Sequence, residues 1–207
     1  MATRVNSDYI NATELKILVG IHDSGDDDRV SAAITAASRA VDATCGRPTV
    51  GGARGGFWYI SAATATFRPE EGYDPALIGD WAAIGTVSTS DDGGTTWSTL
   101  ASTNWQGEPL NADTMGEVFT HLRRFDAPWP SATSYPGRPC LRIVGTLGWS
   151  AVPDEVKQAT RLQAVRWFKR PDAPFGVTGG ELGPMFVRKV DPDVAAILSR
   201  LVWPVFG

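Results

Sequence analysis

Histidine and cysteine are scarce here, two of each in 207 residues, and that scarcity narrows the chemistry available. His22 lies near a helix end and His121 in a run that reads as a strand. Neither has a Ser, Cys or His partner at a motif spacing, so no nucleophile–base constellation is visible. Cys45 and Cys140 lack the spacing of a metal knuckle or a redox CxxC pair. Both read as small buried hydrophobes in a reduced compartment. No GxGxxG, GxSxG, HExxH or phosphate-loop GxxxxGK pattern occurs. The expectation is therefore no enzyme, with no catalytic residue, metal or cofactor. No stretch of eighteen apolar residues exists, which predicts no membrane span. Arg4 is not followed by an apolar run, which predicts no signal peptide.

What is abundant is glycine and proline, 22 and 14 residues, so much of the chain is expected in turns and short strands. Eight tryptophans supply core or interface anchors. The net charge of −4 is unevenly spread. Residues 1–92 carry seven Lys/Arg against thirteen Asp/Glu, whereas residues 138–207 carry ten against six. Such a split suits a subunit that packs against copies of itself or an oppositely charged neighbour.

Helical signals occupy both ends of the chain. Asn11 and Glu14 form a capping-box pattern ahead of Leu15, and Gly20 stops that helix. Asp26, Asp27 and Asp28 place negative charge at the start of a second helix. Val30, Ala33, Ile34, Ala37 and Val41 share one face of it, opposite Ser31 and Thr35. Gly46 and Pro48 end it. A third helix opens at Asp154 and Glu155 and runs to Arg170; its apolar residues keep to no single stripe, which predicts burial on several sides. Asp191 and Pro192 start a fourth. Between the second and third helices, Phe57–Ile60, Trp81–Val87, Trp97–Leu100, Val118–Leu122 and Leu141–Val144 read as strands. A Gly-rich loop is expected over 176–183 and a strand over 187–190. The fold expected is α+β: a four-helix core (helices near 11–19, 26–45, 154–170 and 192–202) carrying a β-rich insertion. The corresponding segments are 1–47, 48–150 and 151–207.

One motif stands out inside the insertion. Ser90, Asp92, Gly94, Thr96 and Trp97 match the Asp-box pattern SxDxGxTW found in sialidases and other propeller proteins. There the Asp and Ser tie down a hairpin turn and do no chemistry. The box occurs once here, in a chain too short for a propeller, so these five residues read as a structural hairpin. Lys157 with Arg161, and Arg166 with Arg170, lie one helical turn apart. No nucleic-acid-binding module accompanies them, and exposed helix charges or intersubunit salt bridges are the simpler reading.

Taken together, the elements resemble the head-to-tail adaptor (connector) family of tailed bacteriophages, especially those of actinobacterial hosts. The likeness runs through Tyr9 to Lys16, then Asp27-Asp28-Arg29 with Ala32 to Asp42, closed by Cys45-Gly46-Arg47. It continues in Asp92-Gly93-Gly94 and Glu108 to Ala112, then Val144 to Trp149 and Val152 to Ala159. Phe168-Lys169-Arg170, Asp172-Ala173-Pro174, Gly176-Val177 and Asp191 to Val194 complete it. No single motif is diagnostic; order and spacing carry the likeness, which covers nearly the whole chain. It implies a viral structural protein of the neck, made in the host bacterial cytoplasm. It further implies a homo-oligomeric ring of about twelve copies, a dodecamer, beneath the portal. The portal, a tail-side neck protein and genomic DNA passing through the channel without sequence recognition would be its partners. The apolar end Trp203, Pro204, Val205 and Phe206 is unusual for a chain terminus. By analogy with other adaptors, it is expected to contact the portal. The competing expectation is a glycan- or host-binding β module built around the Asp-box hairpin.

Overall fold

The computed structural model describes residues 8–47, 56–57, 59–69, 74–130, 138–169, 177–180, 183–186 and 191–203. Four α-helices are present: α1 (Ala12–Val19), α2 (Asp27–Cys45), α3 (Asp154–Lys169) and α4 (Pro192–Leu198). Eight strands accompany them: β1 (Tyr59–Phe67), β2 (Ala76–Thr89), β3 (Ser98–Thr99), β4 (Trp105–Glu108), β5 (Phe119–Arg124), β6 (Leu141–Gly148), β7 (Val177–Gly180) and β8 (Gly183–Phe186). The chain divides into two compact units. One holds Arg47–Ala151; the other holds Ser7–Gly46 with Val152–Gly207.

In the first unit, six strands form one antiparallel sheet in the order β1-β6-β2-β5-β4, with β3 added on β2. Its inner face buries Ile78, Trp81, Val87, Leu122, Leu141, Ile143 and Leu147. β2 is the spine and breaks register three times, at Leu77/Trp81, Trp81/Ala83 and Ile84/Thr86. The breaks at Trp81/Ala83 and Ile84/Thr86 each set one extra β2 residue against β6, the pattern of a bulge, which bends a strand. Gly145 of β6 lies so close to β2 that a Cβ there would run into the Ala83 carbonyl oxygen. Only glycine permits that approach.

In the second unit, local capping sets the helix starts. The Asn11 side chain accepts from the Glu14 N–H, and Glu14 accepts from the Asn11 N–H, both at 2.9 Å. Asp191 accepts from the Asp193 N–H at 3.0 Å, with Pro192 opening α4. Gly46 ends α2 at φ 59°, donating to the Asp42 carbonyl at 3.0 Å. Leu15, Val30, Ile34, Ala37, Ala164 and Phe168 form the core, with Ile10 beside them. An Arg29 guanidinium donates 2.7 Å to the Phe168 carbonyl and lies over the Phe168 ring. α3 does not bury an apolar stripe all round. Leu162 is exposed, and the buried face includes Thr160 and Gln163. Thr160 donates 2.8 Å to the Val156 carbonyl, and Gln163 accepts from the Asp191 N–H at 3.3 Å.

The expected four-helix core carrying a β-rich insertion is therefore corrected. The chain is mixed α+β, and its β region is no appendage: its six-stranded sheet closes a core of its own. The helical unit in turn carries a two-stranded β7–β8 ladder where a glycine-rich loop was expected. The strand expected over Val187–Val190 lies outside the described residues.

Candidate interaction surfaces

The turn joining β2 to β3 contains the five motif residues. Ser90 is buried; its backbone N–H donates to the Cys140 carbonyl at 3.0 Å, which ties the turn to the start of β6. The Ser90 hydroxyl donates to Asp92 at 2.7 Å and accepts from the Gly94 N–H at 2.7 Å. Asp92 also accepts from the Thr95 and Thr96 N–H groups, each at 2.9 Å, and from the Thr96 hydroxyl at 2.6 Å. Those donors, the Thr96 hydroxyl first, hold its carboxyl well below the usual range. Gly94 sits at φ 88°, pressed against Pro139 and the Trp97 ring. All of the motif's strong acceptors are engaged by its own turn.

Three arginines surround this turn, and the sequence reading did not bring them together. The Cys140 N–H donates to the Phe67 carbonyl at 3.0 Å, so Arg68 and Arg138 flank the same point. Arg142 is registered opposite Thr66 of β1 and Ser88 of β2, and its guanidinium lies 4.7 Å from the Trp97 ring centre. Burial pushes the Cys140 thiol up, the Arg68 charge acts in the opposite sense, and the nearby Asp91 carboxylate adds to the rise. The only signal in the sequence is strand register, which a single chain does not display.

A second missed cluster lies deeper in the same unit. Arg47 and Asp80 pair at 3.0 Å with side chains 8% and 9% exposed. The Trp149 indole N–H donates to the other Asp80 oxygen at 3.1 Å. The Arg47 guanidinium lies 5.0 Å from the Trp149 ring and 5.6 Å from the Phe57 ring.

The helical unit shows a different surface. α1 exposes Ile17 and Leu18, at 72% and 51%. Next to them, Asp23, Asp26, Asp27 and Asp28 are acidic, and Lys16 pairs with Asp27. The helix cations Lys157, Arg161 and Arg166 are neutralised within the unit by Asp154, Glu14 and Asp191. At the chain's end, Trp203 is half-buried, and its backbone N–H donates 2.7 Å to the Cys45 carbonyl. Pro204, Val205 and Phe206 lie outside the described residues.

Among the described residues, no group of three His, Cys, Asp or Glu side chains could hold a metal ion. His121 bonds the Thr120 hydroxyl at 2.9 Å, and burial lowers its pKa. Cys45 and Cys140 are both buried. Among the described residues, no helix is long and apolar enough to cross a membrane.

No family model matches the chain, and no curated protein does. Solved structures do share its fold, and they are particle components. A chain from the neck of an empty gene transfer agent particle, computed with C6 symmetry, superposes with a TM-score of 0.54 at 16% identity. The match covers 100% of this chain and 98% of that one. A chain from the virion of a native gene transfer agent particle gives 0.56 at 17% identity, covering 99% and 95%.

Proposed function

We propose that this protein is a structural subunit of the neck of a tailed, phage-like particle, acting as a head-to-tail adaptor. The observation that carries the reading is the end-to-end fold match with a neck chain, 100% of one against 98% of the other. In this reading, copies form a ring beneath the portal, extend the DNA channel and offer a docking surface to the tail or next neck protein. The role is mechanical and involves no catalytic step. Trp203, Pro204, Val205 and Phe206 reach the portal, with aromatic side chains as anchors in apolar pockets. The phage adaptor family, the copy number and the portal contact go beyond shared fold, and they rest on the sequence resemblance.

A glycan-binding role for the Asp-box hairpin has no observation in its favour. Ser90 and Asp92 spend their oxygens on the turn itself.

The test is co-expression with the portal of the same particle, followed by sedimentation and negative-stain imaging. The expected result is a ring attached coaxially to the portal. A chain that stays monomeric with portal present, or labels the outer surface of the particle instead of the neck, overturns the reading.

A further inference from the structure

Arginines across the described residues sit against carboxylates, from Arg29 with Asp26 to Arg200 with Glu155. Arg68, Arg138 and Arg142 are the exceptions: among the described residues none forms an ion pair, and all three gather where β1 ends and β6 begins. Arg68 and Arg138 are exposed, and the buried Nε of Arg142 has no hydrogen-bond partner. Trp97 and Pro139 form an apolar floor beside them, fixed by the Ser90 turn. Arginine and tryptophan are the residues enriched in protein interfaces, and the guanidinium fork fits carboxylates.

The helical unit carries the opposite pattern. Ile17 and Leu18 project from α1 into solvent just ahead of the acidic α1–α2 corner. Lys16 donates to the Asp23 backbone carbonyl and pairs with Asp27, which leaves the exposed Asp23 and Asp28 carboxylates without an ion pair among the described residues. One surface thus offers unpaired guanidiniums around an apolar floor, and the other offers unpaired carboxylates around apolar knobs.

We propose that these two surfaces meet between neighbouring copies: the α1–α2 corner of one subunit docks on the Arg68–Arg138–Arg142 surface of the next. Asp23 and Asp28 face the guanidiniums, while Ile17 and Leu18 pack on Trp97 and Pro139. The proposal rests on the neck reading and names the contact that would build its ring. Two different patches make a heterologous contact, the kind that builds a ring when its rotation closes. Charge complementarity also sets register and speeds encounter. A nucleic acid bound by the three arginines would leave Ile17 and Leu18 uncovered, which is why a second copy is the better occupant.

Charge reversal and mixing test it on the full chain, with portal present. One protein carries Arg68→Glu with Arg138→Glu; the other carries Asp23→Arg with Asp28→Arg. The expected result is that each alone melts as a folded monomer and fails to form rings, while the two mixed rebuild rings of alternating copies. In the mixture, every contact regains opposite charges. Rings formed by either variant alone, or folded variants that fail to reassemble on mixing, overturn the contact. Loss of oligonucleotide binding in the arginine variant with rings intact overturns it in favour of nucleic acid. A wild-type chain that forms no ring defeats the neck reading instead, so the two failures are distinguishable.

Discussion

Arg47 and Asp80 face each other across a buried 3.0 Å ion pair, and the Trp149 N–H occupies the second carboxylate oxygen. Arg47 opens the Arg47–Ala151 segment of the sheet unit, and Trp149 stands two residues before that segment's end. One carboxylate therefore holds together the two ends of that segment. Burial raises the Asp80 carboxyl above its ordinary value, against the pull of Arg47 and Trp149. The folded state thus holds that proton more tightly than the unfolded chain. Taken alone, ionisation of Asp80 lowers stability as pH rises above 3.8.

The pair predicts a non-additive result. Asp80→Ala or Arg47→Ala leaves one buried charge without its partner and should cost about 3–5 kcal/mol. Arg47→Met with Asp80→Leu removes both charges and should cost less than the more damaging single change. Urea melts of the three variants check this. A double variant as unstable as the two singles summed would show that the charges do not act on one another.

Asp92 predicts the opposite pH behaviour. Its folded carboxyl is held below the ordinary 3.8 by the Thr96 hydroxyl, the Thr96 N–H and the Ser90 hydroxyl. Its contribution is present above pH 3.8 and fades as pH falls below it, because the unfolded chain then takes up the proton first. Asp92→Ala should lower the melting temperature at pH 7, and the gap to wild type should narrow below pH 3.8. A gap that widens on acidification would contradict the assignment.

Features that reside in a few adjacent residues were legible in the sequence. The Asn11–Glu14 box, the Asp191-Pro192 start and the spacing from Ser90 to Trp97 each involve residues within one or two turns of chain. β2 was only partly legible. Trp81–Val87 reads as a strand, but the strand runs Ala76–Thr89. Gly79, Gly85 and the three register breaks interrupt the alternation that marks a strand. β4 was missed because Trp105–Glu108 is four residues long and contains Gly107. That glycine is needed because a Cβ would lie 2.7 Å from the Phe119 ring. Capped helices thus outweighed interrupted strands in the reading, and a six-stranded sheet with a core of its own was read as an addition to four helices. The Arg47–Asp80–Trp149 cluster and the convergence of Arg68, Arg138 and Arg142 depend on long-range register, which no local pattern encodes.

The α2 face assignment gives a direct contrast. Ile34 is 3% exposed in the helical core, whereas Ser31 is on the solvent side. Ile34→Ala should cost about 2–5 kcal/mol by removing buried methylenes and leaving a cavity. Ser31→Ala should stay within about 0.5 kcal/mol. Equal losses in urea melts would mean that α2 packs on another face.

The chain's end allows a sharper separation between self-packing and docking. The Trp203 backbone N–H donates to the Cys45 carbonyl, one of the last carbonyls of α2, which helix geometry leaves without an intrahelical partner. Removal of Trp203 therefore disturbs α2 whatever the tail does beyond it. A truncation after Trp203 keeps that bond and removes only residues 204–207. If the tail docks on the portal, this shorter protein should melt within about 2 °C of wild type, since a free segment adds little to the fold. Portal binding should weaken strongly with it, because Phe206, one of the two aromatic anchors, is removed while Trp203 remains. Phe206→Ser in the full chain should weaken portal binding in the same direction without changing the melt. A truncated protein that melts several degrees lower and still binds portal would place the tail in its own subunit's core and end the docking hypothesis.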